Sequence, residues 1–159
     1  MVRGQALRGG EVVTDHVEVD AFALVIDGRP KGQPRPRFAN GRAYAGKPQK
    51  LAEDEIRRVW LQAGAPRMVD GPLALHMVLR VARPAGHFRR DGSLSAEGLR
   101  TPWPLKTKPD VDNAIKLLCD ALNTRAWRDD VRFCTAYVAR HWINSGEWPR
   151  TEIDVRLLP

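Results

Sequence analysis

The stretch Pro109-Asp110-Val111-Asp112-Asn113-Ala114-Ile115-Lys116-Leu117-Leu118-Cys119-Asp120-Ala121-Leu122-Asn123 decides how the rest of the 159-residue chain is read. Ile115, Leu118, Cys119 and Leu122 recur at i, i+3, i+4 and i+7, the spacing of a helix face turned to a core. The predicted helix covers 109–122. Asp112 is the expected N-cap, because its carboxylate can accept the orphan N–H groups of the first turn, and Asn123 is the expected end. Asp112, Lys116 and Asp120 are four apart and line the face opposite the apolar stripe. Asp110 and Asp112 flank one residue at the helix entry, where an extended backbone projects both to the same side.

Beyond the helix, a link through Trp127 leads to Asp129-Asp130 and a predicted strand over 131–142. A last strand over 152–158 alternates Ile153, Val155 and Leu157 with polar residues. Upstream, 83–108 is rich in Gly, Pro, Ser and Arg, and a connection that long is expected to be a functional or disordered loop. A strand is expected over 72–81. A helix is expected over 48–62, with Leu51, Ile56, Val59 and Trp60 on its apolar face and Gly64 as its stop. Asn40-Gly41 reads as a type I′ hairpin turn. The apolar run 21–26 ends at Asp27-Gly28 and reads as a buried strand. Residues 1–19 read as a mobile arm or a short extra strand. The expected fold is one α+β domain over 20–159, with a mixed or antiparallel sheet, two main helices and no internal repeat.

At about 100–200 residues per domain, the length fits a single domain. Hydrophobic residues make up 43% and charged residues 28%, which excludes a wholly disordered chain. No apolar run approaches the roughly 18 residues of a membrane span, and residues 1–20 hold no signal-peptide core, so a cytoplasmic protein is expected. Cys119 and Cys134 form no C-x-x-C pair, so neither a disulfide nor a redox motif is expected. The four histidines show no zinc-ligand spacing.

Net charge is +7, with a pI of about 10.0. That balance points to a polyanionic partner, nucleic acid first and an acidic membrane surface second. From 29 to 50 there is no acidic residue, but there are Arg29, Lys31, Arg35, Arg37, Arg42, Lys47 and Lys50. Phosphate contacts are expected from Arg35, Arg37, Arg42 and Lys47, and these position a protein without reading sequence. Trp103, Trp127 and Trp148 are expected in core packing or loop anchoring rather than as wedges between bases.

Taken singly, Asp110 and Asp112 read as first-turn carboxylates favoured by the helix dipole, Asp129-Asp130 as a solvated turn, and Lys116 as a surface partner of Asp112 or Asp120. Taken together they admit a second reading. Two carboxylates about 4 Å apart repel by roughly 4 kcal/mol at an effective dielectric near 20, and a hard divalent cation removes that conflict. Such a cluster in a cationic chain suits phosphodiester hydrolysis. The basic residues hold the backbone, the carboxylates hold the ion, and a lysine nearby stabilises charge at the phosphate.

The string P-D-V-D-N-A-I-K-L-L-C-D-A-L-N, followed by Asp129-Asp130, resembles the signature of the RusA family of Holliday-junction resolvases. The basic segment from Gly28 to Phe38, with Gly41-Arg42-Ala43-Tyr44 after it, is similar to the N-terminal segment of many members. The resemblance implies a small α+β homodimer that nicks branched DNA, four-way junctions above all, with Mg²⁺ or with Mn²⁺ in its place. It implies Asp110, Asp112 and Asp130 as metal-binding carboxylates, Lys116 as the catalytic lysine, and supporting roles for Asp120 and Asp129. A non-catalytic branched-DNA-binding protein of the same fold and a flap nuclease are the alternatives. Two positions depart from the family pattern: Thr124 stands where members often have Gly, and Arg132 where they have Gln.

Overall fold

A computed structural model describes residues 18–34, 37–39, 42–44 and 46–159. The expectations for 1–17, for Arg35 and for the Asn40-Gly41 turn lie outside the described residues.

Four strands form the central sheet: β2 (Ala21–Asp27), β6 (Leu73–Val81), β7 (Phe133–Trp142) and β8 (Arg150–Leu157), in the order β2-β8-β6-β7. β8 is antiparallel to both of its neighbours, whereas β6 and β7 run parallel. The sheet is therefore mixed. Alternation decides which face is covered. Phe22 and Leu24, Ile153 and Val155, and Leu75 and Met77 stand in register across three strands, and all are buried. Their neighbours Ala23, Val25 and His76 point to the open face and are exposed. One residue of slip would exchange the two sets, so the hydrophobic pattern fixes the register.

Two helices cover the buried face: α1 (Lys47–Gln62) and α3 (Val111–Leu122). α1 has Pro48 in its first turn, where the missing N–H is no loss. It ends at Ala63, followed by Gly64 at φ +88°, the left-handed conformation that favours glycine. Its buried residues are Gln49, Ala52, Ile56 and Trp60, with Val59 packed at the margin. Leu51 was expected on that face but is 58% exposed. Ala52 and Ile56, four apart, occupy the contact, and Leu51 lies beside the stripe.

α3 buries Ala114, Leu117, Leu118, Cys119, Ala121 and Leu122, a wider stripe than the one predicted. Ile115 sits at its margin. The core closes around Trp127, 1% exposed, which lies 6.4 Å from Phe22 and 5.0 Å from Phe133, centroid to centroid. Trp127 thus packs in the core as expected. Trp148 is exposed and anchors its loop by donating to Asp27 at 2.8 Å, and Trp103 leans on His141.

The connection 83–108 is not the structureless loop its composition suggests. It holds a 3₁₀ turn (Ala85–His87), a bridge between Phe88 and Leu94, and a short helix α2 (Ala96–Arg100) capped by Ser95. Arg83 donates to the carbonyls of Gly98 and Thr101, and Trp142 Nε1 donates to that of Thr101 at 2.8 Å. These contacts satisfy backbone groups that periodicity does not reveal.

The remaining strands are short. β1 (Glu18–Val19) pairs with β5 (Arg67–Met68) in parallel. β3 (Arg37–Ala39) and β4 (Arg42–Tyr44) pair antiparallel, with Arg37 opposite Tyr44 and Ala39 opposite Arg42.

Candidate active site

The N-cap of α3 is Asp110, two residues before the expected Asp112. Val111 already has helical backbone, so Asp112 falls in the first turn. The Asp110 side chain makes no capping bond and instead accepts from Lys108 Nζ at 2.6 Å. That ammonium holds the Asp110 carboxyl below its ordinary range.

Asp112, Lys116 and Asp120 share one exposed helix face, as their spacing predicts. Asp112 and Lys116 have no hydrogen-bond or ion-pair partner among the described residues. Asp120 accepts a hydrogen bond from the side-chain amide of Gln33, 87 positions away.

Asp129 and Asp130 lie just before β7, and their carboxylates have distinct surroundings. Asp129 caps the 3₁₀ turn Asp130–Arg132 and accepts from the Val131 N–H at 3.1 Å. This bond, with the neighbouring Asp130 side chain, keeps Asp129 below its ordinary range. Asp130 itself points into solvent. Its charge and that of Asp120 act on Cys119, whose thiol is pushed up to about 12, chiefly by burial. Asp110 and Asp112 stand at the first turn of α3, and Asp130 lies on the 3₁₀ turn that leads into β7.

Among the described residues, no three His, Cys, Asp or Glu side chains gather closely enough to hold one metal ion. The trio Asp110, Asp112 and Asp130 is thus not drawn into one cage. The chemistry of the donors at the helix mouth still fits a hard cation. Asp110 and Asp112 offer carboxylate oxygens at the surface, and Mg²⁺ is commonly held by one or two carboxylates plus substrate phosphate and water.

A cationic strap adjoins this mouth. Residues 28–34 leave β2 and cross between α1 and α3, with Lys31 paired to Glu55 of α1. Gly32 lies so close to α3 that a Cβ there would stand 2.6 Å from Pro109 Cβ. A cavity of about 830 Å³ opens between the strap, the start of α1 and Asp110, and Arg29, Lys31 and Lys108 contribute to its lining. Lys47, the first residue of α1, is exposed near this region. Arg37 and Arg42 lie on β3 and β4, but their side chains fall outside the described residues, as does Arg35. Sequence reasoning missed Lys108 as the partner of Asp110. It also missed Arg140, whose guanidinium reaches the carbonyls of Thr107 and Pro109. Lys108 was legible from its position two residues before Asp110, whereas Arg140 carried no local signal.

A family model described as "Endodeoxyribonuclease RusA" matches residues 27–156, from the end of β2 to the last strand, and takes in the strap, the helix mouth and the Asp129-Asp130 turn. The chain belongs to the RusA family. Members of this family are endodeoxyribonucleases. The chain is also 29% identical over 146 residues to "Uncharacterized protein YqaN" of Bacillus subtilis (strain 168), covering 87% of this chain and 97% of that protein.

Both departures from the RusA pattern have a structural reading. Thr124 adopts φ +66°, the left-handed conformation that favours glycine, so the turn keeps its shape with a strained residue. Arg132 pairs with Asp70 at 2.6 Å, fastening the turn after Asp130 to the segment before β6.

Proposed function

We propose that the chain is a Mg²⁺-dependent, structure-selective endonuclease that resolves four-way DNA junctions by paired symmetric nicks. The observation that carries this reading is a pair of surface carboxylates at the mouth of α3 and, one turn on, a lysine without a partner among the described residues, in a RusA-family domain.

Asp110 and Asp112 are the residues that would hold the ion, with Asp130 as the third carboxylate that the family motif offers. When bound, Mg²⁺ supplies Lewis-acid polarisation of the scissile phosphate and lowers the pKa of an attacking water. Lys116, four residues from Asp112, faces the same side and neutralises charge that develops on the phosphate oxygens. In the free protein the Lys108 ammonium lowers the Asp110 pKa from its ordinary value. Arg35, Arg37, Arg42 and Lys47 grip the DNA backbone and orient it without reading bases. Water as nucleophile leaves 5′-phosphate and 3′-hydroxyl ends. A C₂ homodimer with one acidic site per subunit matches the two-fold symmetry of the junction and of its two nicks.

The test is direct. The purified chain is incubated with a synthetic four-way junction, a flap and a linear duplex, with Mg²⁺, with Mn²⁺ and with chelator. Junction cleavage that requires the metal and vanishes in Asp112→Asn, while junction binding persists, supports the reading. Unchanged nicking by Asp112→Asn overturns the site. Preference for the flap overturns the substrate, and binding without any cleavage overturns the enzyme.

A further inference from the structure

Gln33 is tied to α3 at two points. Its backbone N–H donates to the Asn113 carbonyl at 2.9 Å, and its side-chain Nε2 donates to Asp120 Oδ2. Asn113 and Asp120 are two turns apart, so Gln33 spans the stretch of helix that carries Lys116. The strap has no room to shift inward at this point: a Cβ on Gly32 would stand 2.6 Å from Pro109 and 3.1 Å from Asn113 Cβ. On its other side Lys31 pairs with Glu55, and Arg57 of α1 donates to the Ala121 carbonyl at 3.0 Å. The strap, α1 and α3 are thereby joined beside the acidic mouth.

The amide orientation is set by its partner. A carboxylate only accepts, so the Gln33 NH₂ must face Asp120 and Oε1 must face away. Oε1 is buried and has no hydrogen-bond partner among the described residues. Leaving a buried acceptor unmet is costly, and a side chain of similar length without that oxygen would pack there at no such cost. Packing alone therefore does not account for an amide at this position, whereas the bond to Asp120 does.

We propose that Gln33 is a positioning residue: through Asp120 it locks the cationic strap against the acidic face of α3, setting the strap's charges in register with Asp110, Asp112 and Lys116. The inference rests on the nuclease reading above for its consequence, but not for its geometry. Misplacing phosphate-binding groups by about 1 Å is enough to slow a reaction that depends on alignment.

The experiment reverses the polarity of the bond. Gln33→Glu sets two carboxylates against each other and releases the strap. The double variant Gln33→Glu/Asp120→Asn restores one donor and one acceptor in the opposite sense. Gln33→Ala serves as a milder release. Expected are a fall in junction-cleavage kcat of about tenfold in Gln33→Glu, a thermal midpoint close to the parent's, and recovery in the double variant to within about twofold of Asp120→Asn alone. Parental kcat in both Gln33→Glu and Gln33→Ala, or a double variant no faster than Gln33→Glu, overturns the proposal. Amide hydrogen exchange at Gln33 gives an independent readout. Protection lost in Gln33→Glu and regained in the double variant supports the lock, and unchanged protection in Gln33→Glu overturns it. If the parent cuts no branched DNA, the nuclease reading fails, and the exchange data alone decide the lock.

Discussion

Arg140, on edge strand β7, donates through one guanidinium nitrogen to the carbonyl of Thr107 at 2.7 Å, and more weakly to that of Pro109 at 3.3 Å. Asp110 follows directly. The strand thus holds the backbone that delivers the first acidic residue of the helix mouth, adding to the anchorage that the buried Pro104 and Pro109 give that segment. Arg140→Ala should cost about 1–2 kcal/mol in urea denaturation, the value of charge-assisted bonds at a half-buried site. Metal-dependent cleavage should fall further than that loss of stability explains.

In the proposed mechanism Lys116 meets the phosphate, and it has no competing partner among the described residues. Lys116→Met should lower single-turnover cleavage by roughly 10²–10³-fold, the scale seen when one preorganised electrostatic donor is removed. Junction affinity in a mobility-shift assay should change little. A parallel loss of affinity and rate would assign the residue to binding.

The Lys108–Asp110 pair has a pH signature. Hydrogen bonding to the ammonium lowers Asp110 from 3.8, so its folded value lies below its unfolded one. The contribution of this carboxylate to stability is present above the unfolded value and is lost as pH falls through the folded one. Lys108→Met should return the Asp110 titration to the ordinary range in a carbon-13 NMR experiment, and should remove that acid-side contribution.

Both cysteines are free thiols, in different surroundings. Cys119 is buried and its pKa is pushed up to about 12, so almost none is thiolate at neutral pH. Cys134 is exposed on β7. An aromatic disulfide reagent should titrate Cys134 in the folded chain and reach Cys119 only after denaturation. Rapid reaction of both would show that α3 opens readily.

Thr124 carries a β-branched side chain at φ +66°. Thr124→Gly should relieve strain of about 1–2 kcal/mol and incur roughly 0.5–1 kcal/mol of extra chain entropy. A net gain of about 0.5–1 kcal/mol should appear as a raised midpoint in thermal unfolding.

The sequence made most of the regular elements legible because each carries its own periodicity. α3 shows the 3.6-residue pattern, β8 alternates, Pro48 and Gly64 bracket α1, and Asn123 ends α3 as read. Where the reading failed, the cause lay outside the local pattern. The helix begins two residues earlier than read: Asp110 takes the N-cap position while its carboxylate is held by Lys108 rather than by the first-turn N–H groups. The order within 83–108 depends on Arg83 and Trp142 reaching its carbonyls, contacts that no window of the sequence contains.

The one-dimensional pattern of apolar and charged side chains determined the types of the main helices and strands, most of the face that each buries, the grouping of Asp112, Lys116 and Asp120 and the cationic character of 29–50, because these are properties of neighbours along a chain. Only the tertiary structure decided that β6 and β7 run parallel, that Arg140 reaches the backbone before Asp110, and that Gln33 meets Asp120 across 87 positions. Those relationships come from burying one shared core. Its packing, rather than any local preference, sets which distant residues meet at the surface above it.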